Sequence, residues 1–239
     1  MATQSVRARE ALETLSFLGG LPDAMLDQLA SRAHVKRYAK GETIFARNGA
    51  GESLMIVLAG RAKISNITND AREIVLNFLG KGDVIGEIAI LDGAPRTANV
   101  IAIEETETLI LYRRDLLPAL QKNPDAMLEL IKVLCEKLRA TSLIVEENAL
   151  PMAARAAAGL LRLADQHGRM VKGGTLIDLK LSQRDLGGYL GLSRENVSRQ
   201  LGLFREVGLL RIDGPQILIL DSEALRRYAE EPPVEERGG

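Results

Sequence analysis

The chain has 239 residues, 46% hydrophobic and 26% charged, which suits a globular protein of about two domains. A net charge of −1 excludes a protein that coats nucleic acid through bulk charge, so any such contact must come from a local patch. The single cysteine, Cys135, excludes an internal disulfide and a four-thiolate iron–sulfur cluster within one chain, and two histidines, His34 and His167, argue against a zinc site.

No apolar run reaches transmembrane length, and the N-terminus carries no apolar signal core. The expectation is a cytoplasmic protein with no membrane partner. No Ser/His/Asp or Cys/His set, P-loop lysine or metal cluster stands out. No catalytic or metal residue is therefore assigned, and an enzyme is not expected.

In chain order, residues Met1 to about Glu10 read as frayed. Ala11 to Ala33 reads as short helices, with Leu12, Leu15, Phe17, Leu18, Met25, Leu26 and Leu29 apolar, and Pro22-Asp23 where a helix would start. From Val35 to Tyr112 the period falls to two. Strands are expected at Val35–Tyr38, Thr43–Ala46, Leu54–Leu58, Ala62–Ile64, Ile74–Phe78, Asn99–Ile103 and Leu109–Tyr112, punctuated by glycines. Many short strands with glycine turns predict a small barrel or jelly roll.

One stretch interrupts this β run: Gly86-Glu87-Ile88-Ala89-Ile90-Leu91-Asp92-Gly93-Ala94-Pro95-Arg96-Thr97. Gly86 lets the backbone approach a bound group closely. The N–H groups of Ile88 and Ala89, opening a short helical turn, can face an anion. Arg96 offers a donor fork matched to phosphate, and the Thr97 hydroxyl adds a donor. Glu87 needs a hydroxyl to accept from, and a ribose 2′-OH fits. One phosphate and one ribose on a small molecule satisfy every part. A surface turn with a solvated Glu and Arg is the plainer alternative, and the full pattern argues against it. The stretch resembles the phosphate-binding cassette of cyclic-nucleotide-binding domains, G-E-[ILV]-A…R-[ST]-A. The resemblance implies that Glu87 holds the ribose of cAMP or cGMP and Arg96 its phosphate, with Ala89 and Thr97 completing the cradle.

After Pro124 the period returns to that of a helix. Met127, Ile131, Leu134, Leu138, Thr141, Val145 and Asn148 alternate spacings of four and three, the pattern of a coiled-coil seam with two polar positions. The alternative is a helix packed on its own barrel, and one helix can do both. Thr141-Ser142 resembles the Thr-Ser pair that contacts the purine from both subunits in the catabolite-activator branch of the Crp/Fnr family. Thr97 could also bond a guanine amine, so cAMP and cGMP both stay open. Pro151 breaks the helix or starts another and marks a hinge. Met152 to Gln166 reads as an alanine-rich helix stopped near Gly168, and Thr175 to Leu181 as a strand.

Ser182-Gln183-Arg184-Asp185 is an N-cap with an acid at the third helical position. A helix to Leu190, a Gly191-Leu192 turn, and a second helix capped by Ser193 and running to about Val207 make a helix-turn-helix signature. Ile212 to Ile217 reads as a β-hairpin wing, and the Glu231-Pro232-Pro233 tail as disordered. In the second helix Glu195, Ser198 and Arg199 share a face, and Arg194 lies at its start, where recognition helices meet bases. The alternative is a solvated Glu195–Arg199 pair. Leu186 to Ile212 resembles the Crp/Fnr recognition element. Arg194, Glu195 and Arg199 match a pattern implying a TGTGA-like half-site; Glu195, Ser198 and Arg199 match one implying a TTGAT-like half-site. Lys180 is expected on phosphate, and Ser182 in the DNA-binding set.

The expected fold is α+β: a β-roll (jelly-roll-like) cyclic-nucleotide-binding domain over 11–123, a dimerisation helix over 124–150 and a winged helix-turn-helix domain over 151–230. The expected function is a homodimeric transcription regulator on double-stranded, pseudo-palindromic DNA, with cAMP or cGMP as effector, no cofactor, and RNA polymerase as a candidate partner. The alternative is a ligand-independent regulator with a degenerate sensor. The iron–sulfur branch is excluded by cysteine count, and neither histidine sits where a heme-sensing branch would need it.

Overall fold

The computed structural model describes residues 2–230; the Glu231-Pro232-Pro233 tail lies outside them. By contacts the chain divides into two compact units, one up to Arg139 and one from Ala140.

The first unit opens with α1 (Ala2–Glu13) and α2 (Asp23–Arg32), the latter starting behind Pro22. Strands β1 (His34–Tyr38), β2 (Thr43–Phe45), β3 (Ser53–Ala59), β4 (Ala62–Ile67), β5 (Glu73–Leu79) and β6 (Val84–Ile85) lead to the short α3 (Glu87–Asp92). Then come β7 (Asn99–Ala102), β8 (Thr106–Tyr112), α4 (Arg113–Gln121) and the long α5 (Pro124–Glu147). The strands form two antiparallel sheets, ordered β1-β8-β3-β6 and β2-β7-β4-β5. This is the expected β-roll.

Alternation explains the layering. In β3, Met55 and Val57 point between the sheets with Tyr38, Ile44, Ala62, Leu79, Ile85, Val100, Ala102 and Ile110. Leu54 and Ile56 point the other way, with Leu109 and Leu111 of β8, into a core shared with α1, α2, α4 and the first turns of α5. A strand buried on both faces reads as a continuous apolar run, as Leu54–Leu58 does.

Three differences from the sequence reading have local causes. Residues 2–10 are helical rather than frayed. Ala8 and Leu12, one turn apart, are fully buried, and Arg9 bonds Asp23 and Asp27 of α2 at 2.5 Å each. Within 2–10 a single buried alanine among polar and charged residues gives little periodic signal. Helix α4 was not anticipated because Pro118 lies inside it, and an internal proline reads as a breaker. Strand β6 has only two residues, too few to show a period.

In the second unit α6 (Met152–His167) starts at Pro151 and precedes the hairpin β9 (Gly168–Val171) and β10 (Gly174–Ile177). The predicted strand from Thr175 thus ends at Ile177, short of Leu181. Helices α7 (Gln183–Leu190) and α8 (Arg194–Glu206) are followed by the wing β11 (Leu210–Asp213) and β12 (Gln216–Ile219), then α9 (Ser222–Glu230), which sequence reading missed. The sheet order is β11-β12-β10-β9, so the wing and the earlier hairpin share one sheet.

Candidate functional site

The cassette is built where β6 turns into α3. Gly86 sits at the N-cap with φ 88°, a left-handed backbone that L side chains resist. A Cβ here would lie 2.2 Å from Arg96 Nη1 and 2.8 Å from the Ser53 carbonyl oxygen. Glycine is required both by the turn and by the approach of the arginine. The first intrahelical bond of α3 is Ile90 N–H to Gly86 O at 3.4 Å, so the amides of Ile88 and Ala89 precede it.

Arg96 is 4% exposed. Its Nη2 donates to Ser53 O at 2.6 Å and to Ser53 Oγ at 3.0 Å, and its Nη1 donates to Gly86 O at 3.2 Å. The guanidinium lies 4.3 Å from the centroid of the Phe45 ring, and Nε is buried with no partner among the described residues. Two backbone bonds fix its loop, Arg96 N–H to Gly49 O at 3.0 Å and Asn48 N–H to Arg96 O at 2.9 Å. Burial pushes its pKa down, opposed by the negative charges of Glu87 and Glu52. A buried cation bonded only to uncharged acceptors has an uncompensated desolvation penalty, and an anion would offset it.

Glu87 is also 4% exposed. Its Oε1 lies 2.9 Å from Lys137 Nζ, which also donates to Val84 O at 2.8 Å. Ala89 is buried, while Ile88 and Thr97 are exposed. The structure thus brings Gly86, Glu87 and Arg96 together and adds three residues that sequence reading missed. Ser53 and Phe45 come from other strands and carry no motif. Lys137 is an ordinary lysine on a helix, and only its half-burial marks it. Thr141 and Ser142 follow Lys137 by about one turn of α5 and are exposed.

The second set lies around α7 and α8. Ser182 caps α7 reciprocally: its Oγ accepts from Asp185 N–H at 3.1 Å and donates to Asp185 Oδ2 at 2.5 Å. Gly191 ends the helix with φ 64°, and Ser193 Oγ accepts from Asn196 N–H at 3.2 Å to cap α8. Helix α8 buries Val197, Gln200, Leu201 and Phe204 and leaves Arg194, Glu195, Ser198 and Arg199 exposed. Arg194 Nε donates to Gln183 Oε1 at 3.3 Å. The Glu195 carboxyl is held below its usual range by its own backbone N–H and then by the Ser193 hydroxyl. Arg199 contacts Met152 Sδ at 3.8 Å and does not pair with Glu195, so the plain ion-pair reading of this face has no support. Lys180 is exposed just ahead of the Ser182 cap.

Family models for a cyclic nucleotide-binding domain and for a Crp-like helix-turn-helix domain match residues 35–123 and 154–228. The CRP-like cAMP-activated global transcriptional regulator of Mycobacterium tuberculosis (strain ATCC 25618 / H37Rv) is 30% identical over 221 residues, 92% of this chain and 99% of that protein. The chain belongs to the Crp/Fnr family of transcription regulators. The cyclic AMP receptor protein of Thermus thermophilus is 29% identical over 88% of this chain and 94% of its own length. The solved structure of FixK2 from Bradyrhizobium japonicum superposes with a TM-score of 0.73 at 26% identity, over 82% of this chain and 96% of that one. As a Crp/Fnr member the chain has a cyclic nucleotide-binding domain and a DNA-binding helix-turn-helix, and its relatives are transcription regulators, not enzymes. No helix among the described residues is long and apolar enough to cross a membrane.

Proposed function

We propose that this Crp/Fnr member is a homodimeric regulator whose affinity for a pseudo-palindromic DNA site is controlled by a cyclic nucleotide. The observation that carries the reading is Arg96, a buried guanidinium with no carboxylate partner among the described residues, set against a glycine turn. The cyclic phosphate bonds its fork and the amides of Ile88 and Ala89, with Thr97 as a further donor. The ribose hydroxyl takes Glu87, at the expense of its Lys137 partner. The base is assigned to Thr141 and Ser142. Relatives described as cAMP-activated favour cAMP over cGMP as effector.

Helix α5 supports dimerisation. Ile131, Leu138 and Val145, spaced by seven, are 45%, 68% and 67% exposed. Such an apolar row on a long helix is a seam in search of a second helix. Lys180 and Ser182 then contact phosphate, and Arg194, Glu195, Ser198 and Arg199 read bases. RNA polymerase is a further proposed partner.

Thermal melting with cAMP, cGMP and ATP tests the sensor. A ligand that binds only the native state adds about 2.7 kcal/mol at about 100 times its Kd. One cyclic nucleotide should raise Tm and ATP should not. A flat response to both cyclic nucleotides would leave a ligand-independent regulator with a degenerate sensor.

A further inference from the structure

The chain between α5 and α7 is tied by two arginines of α6. Arg162 makes a two-point ion pair with Glu147, the last residue of α5: Nη2 to Oε2 at 2.7 Å and Nε to Oε1 at 3.2 Å. The side chains are only 11% and 18% exposed. The same guanidinium lies 4.2 Å from the ring centroid of Tyr189 in α7. Burial raises the Tyr189 phenol, with Arg162 opposing and Glu147 adding to the rise, so all three groups share one partly desolvated place.

Arg155 makes a parallel link. Its Nη2 donates to Leu150 O and its Nη1 to Gly191 O, each at 3.2 Å. Gly191 is the turn glycine of the helix-turn-helix, and a Cβ on it would lie 2.8 Å from Asn148 Oδ1. The stretch between α5 and α6 is itself closed by bonds from Asn148, Ala149 and Leu150 N–H to Ile144, Glu146 and Glu147 carbonyls. These bonds carry the end of α5 up to Leu150, directly before Pro151, and Arg155 Nη2 holds the Leu150 carbonyl from α6. Consistently, contacts assign everything from Ala140, including Thr141 and Ser142, to the unit that carries α8.

We infer that Arg162 and Arg155 are positioning residues that clamp the end of α5 to the helix-turn-helix, so that a contact made at Thr141 and Ser142 reaches α8 through this clamp rather than across a loose hinge. The inference rests on the proposed nucleotide control. Arg162 is the central piece because its one planar group pairs with a side chain of α5 and stacks on a ring of α7 while itself standing on α6. Lysine could hold the charge but not the two-point bond with ring stacking.

The test uses the full chain. Arg162→Met and Glu147→Gln each cut the pair, and Glu147→Arg with Arg162→Glu reverses it. DNA affinity is read by anisotropy with and without cAMP, and cAMP affinity by calorimetry. Each single variant should keep the wild-type cAMP affinity and lower the liganded-to-unliganded ratio of DNA affinities by about fivefold or more, on the scale of such couplings. The reversed pair should recover part of that ratio. An unchanged ratio in both single variants overturns the clamp, and so does a loss that reversal leaves unrepaired, which marks a packing defect. Should Arg162→Met fail to fold, Arg162→Lys replaces it. If the wild-type chain shows no nucleotide response, the nucleotide reading fails on its own, and hydrogen exchange decides the clamp. Faster exchange in both Ile144–Leu150 and α7 of Arg162→Met supports it, and unchanged exchange overturns it.

Discussion

Arg96 has two jobs in the structure. Its fork joins Ser53 of β3 to Gly86 at the mouth of α3, and its Nε is buried with no partner among the described residues. Arg96→Ala therefore does more than delete a ligand contact. It removes the donor from three acceptors, Ser53 O, Ser53 Oγ and Gly86 O, and opens a space beside Phe45, at about 1–3 kcal/mol for each group left unsatisfied in the interior. Arg96→Lys is the cleaner variant, because it keeps the charge and loses the fork. Charge-assisted bonds contribute roughly 1.5–3 kcal/mol each, so calorimetry on Arg96→Lys should show cyclic-nucleotide affinity reduced by about ten- to a hundredfold. Wild-type affinity in that variant would show that phosphate is held elsewhere. On α8 the exposed Arg199 has no acid partner among the described residues, which suits its proposed role as a base reader. Arg199→Ala should cost about 1–3 kcal/mol and relax specificity at one symmetric pair of positions. Lys180→Ala should weaken all sequences alike and lower the salt slope by about one per contact. Binding-site selection on the two variants checks both, and a wild-type logo from Arg199→Ala would remove that residue from the readout.

Helix α5 carries the strongest element-level argument. Ala126 and Leu130 are buried in the first unit's core, whereas Ile131, Leu138 and Val145 are open. Leu138→Glu places a charge in the middle of the row. It should leave the fold intact and shift the protein toward monomer in sedimentation. A variant that stays dimeric moves the interface off this helix. Helix α1 makes a smaller case. Glu107 on β8 accepts from Arg7 at 2.6 Å and Arg37 at 3.4 Å, and these hold its pKa below the usual carboxylate range, Arg7 chiefly. A lowered folded-state pKa gives stability that is complete above the unfolded value, about 4.3, and is lost as pH falls through the folded one. Melts of wild type and Glu107→Gln should differ at pH 7, and the gap should narrow as pH falls below the unfolded value. A gap that does not narrow as pH falls would mean that charge is not its source.

At the scale of the whole molecule the question is whether, and through which residues, nucleotide occupancy changes DNA affinity. Thr141 and Asn148 are polar positions in an otherwise apolar row, so the proposed seam would be weaker there without ligand. In the proposed dimer a purine base bonded by Thr141 and the partner's Ser142 would bridge the two helices and tighten the pairing. Couplings of this kind are typically about 1–3 kcal/mol, or roughly 5–150-fold. Thr141→Leu should raise DNA affinity without nucleotide and shrink the ligand's effect. Thr141→Ala should lose the base contact while gaining little packing. Anisotropy with and without cAMP measures both, and two variants with the wild-type ratio would take Thr141 out of the signal.

Local, contiguous patterns carried the architecture into the sequence. Strand alternation from Val35 to Tyr112, the α5 spacing and the Ser182 and Ser193 caps needed no partner to be visible, because period and capping are properties of neighbouring residues. The run from Gly86 to Thr97 was visible for the same reason. Folding alone decided what surrounds it. Ser53 reaches Arg96 across 43 positions, Phe45 stacks on it from another strand, and Lys137 reaches Glu87 from α5. Arg162 meets Glu147 and Tyr189 in the same way. A side chain that works through one long-range contact leaves no period and no spacing in the chain. It is placed by how helices and sheets pack, and packing is a property of the tertiary structure.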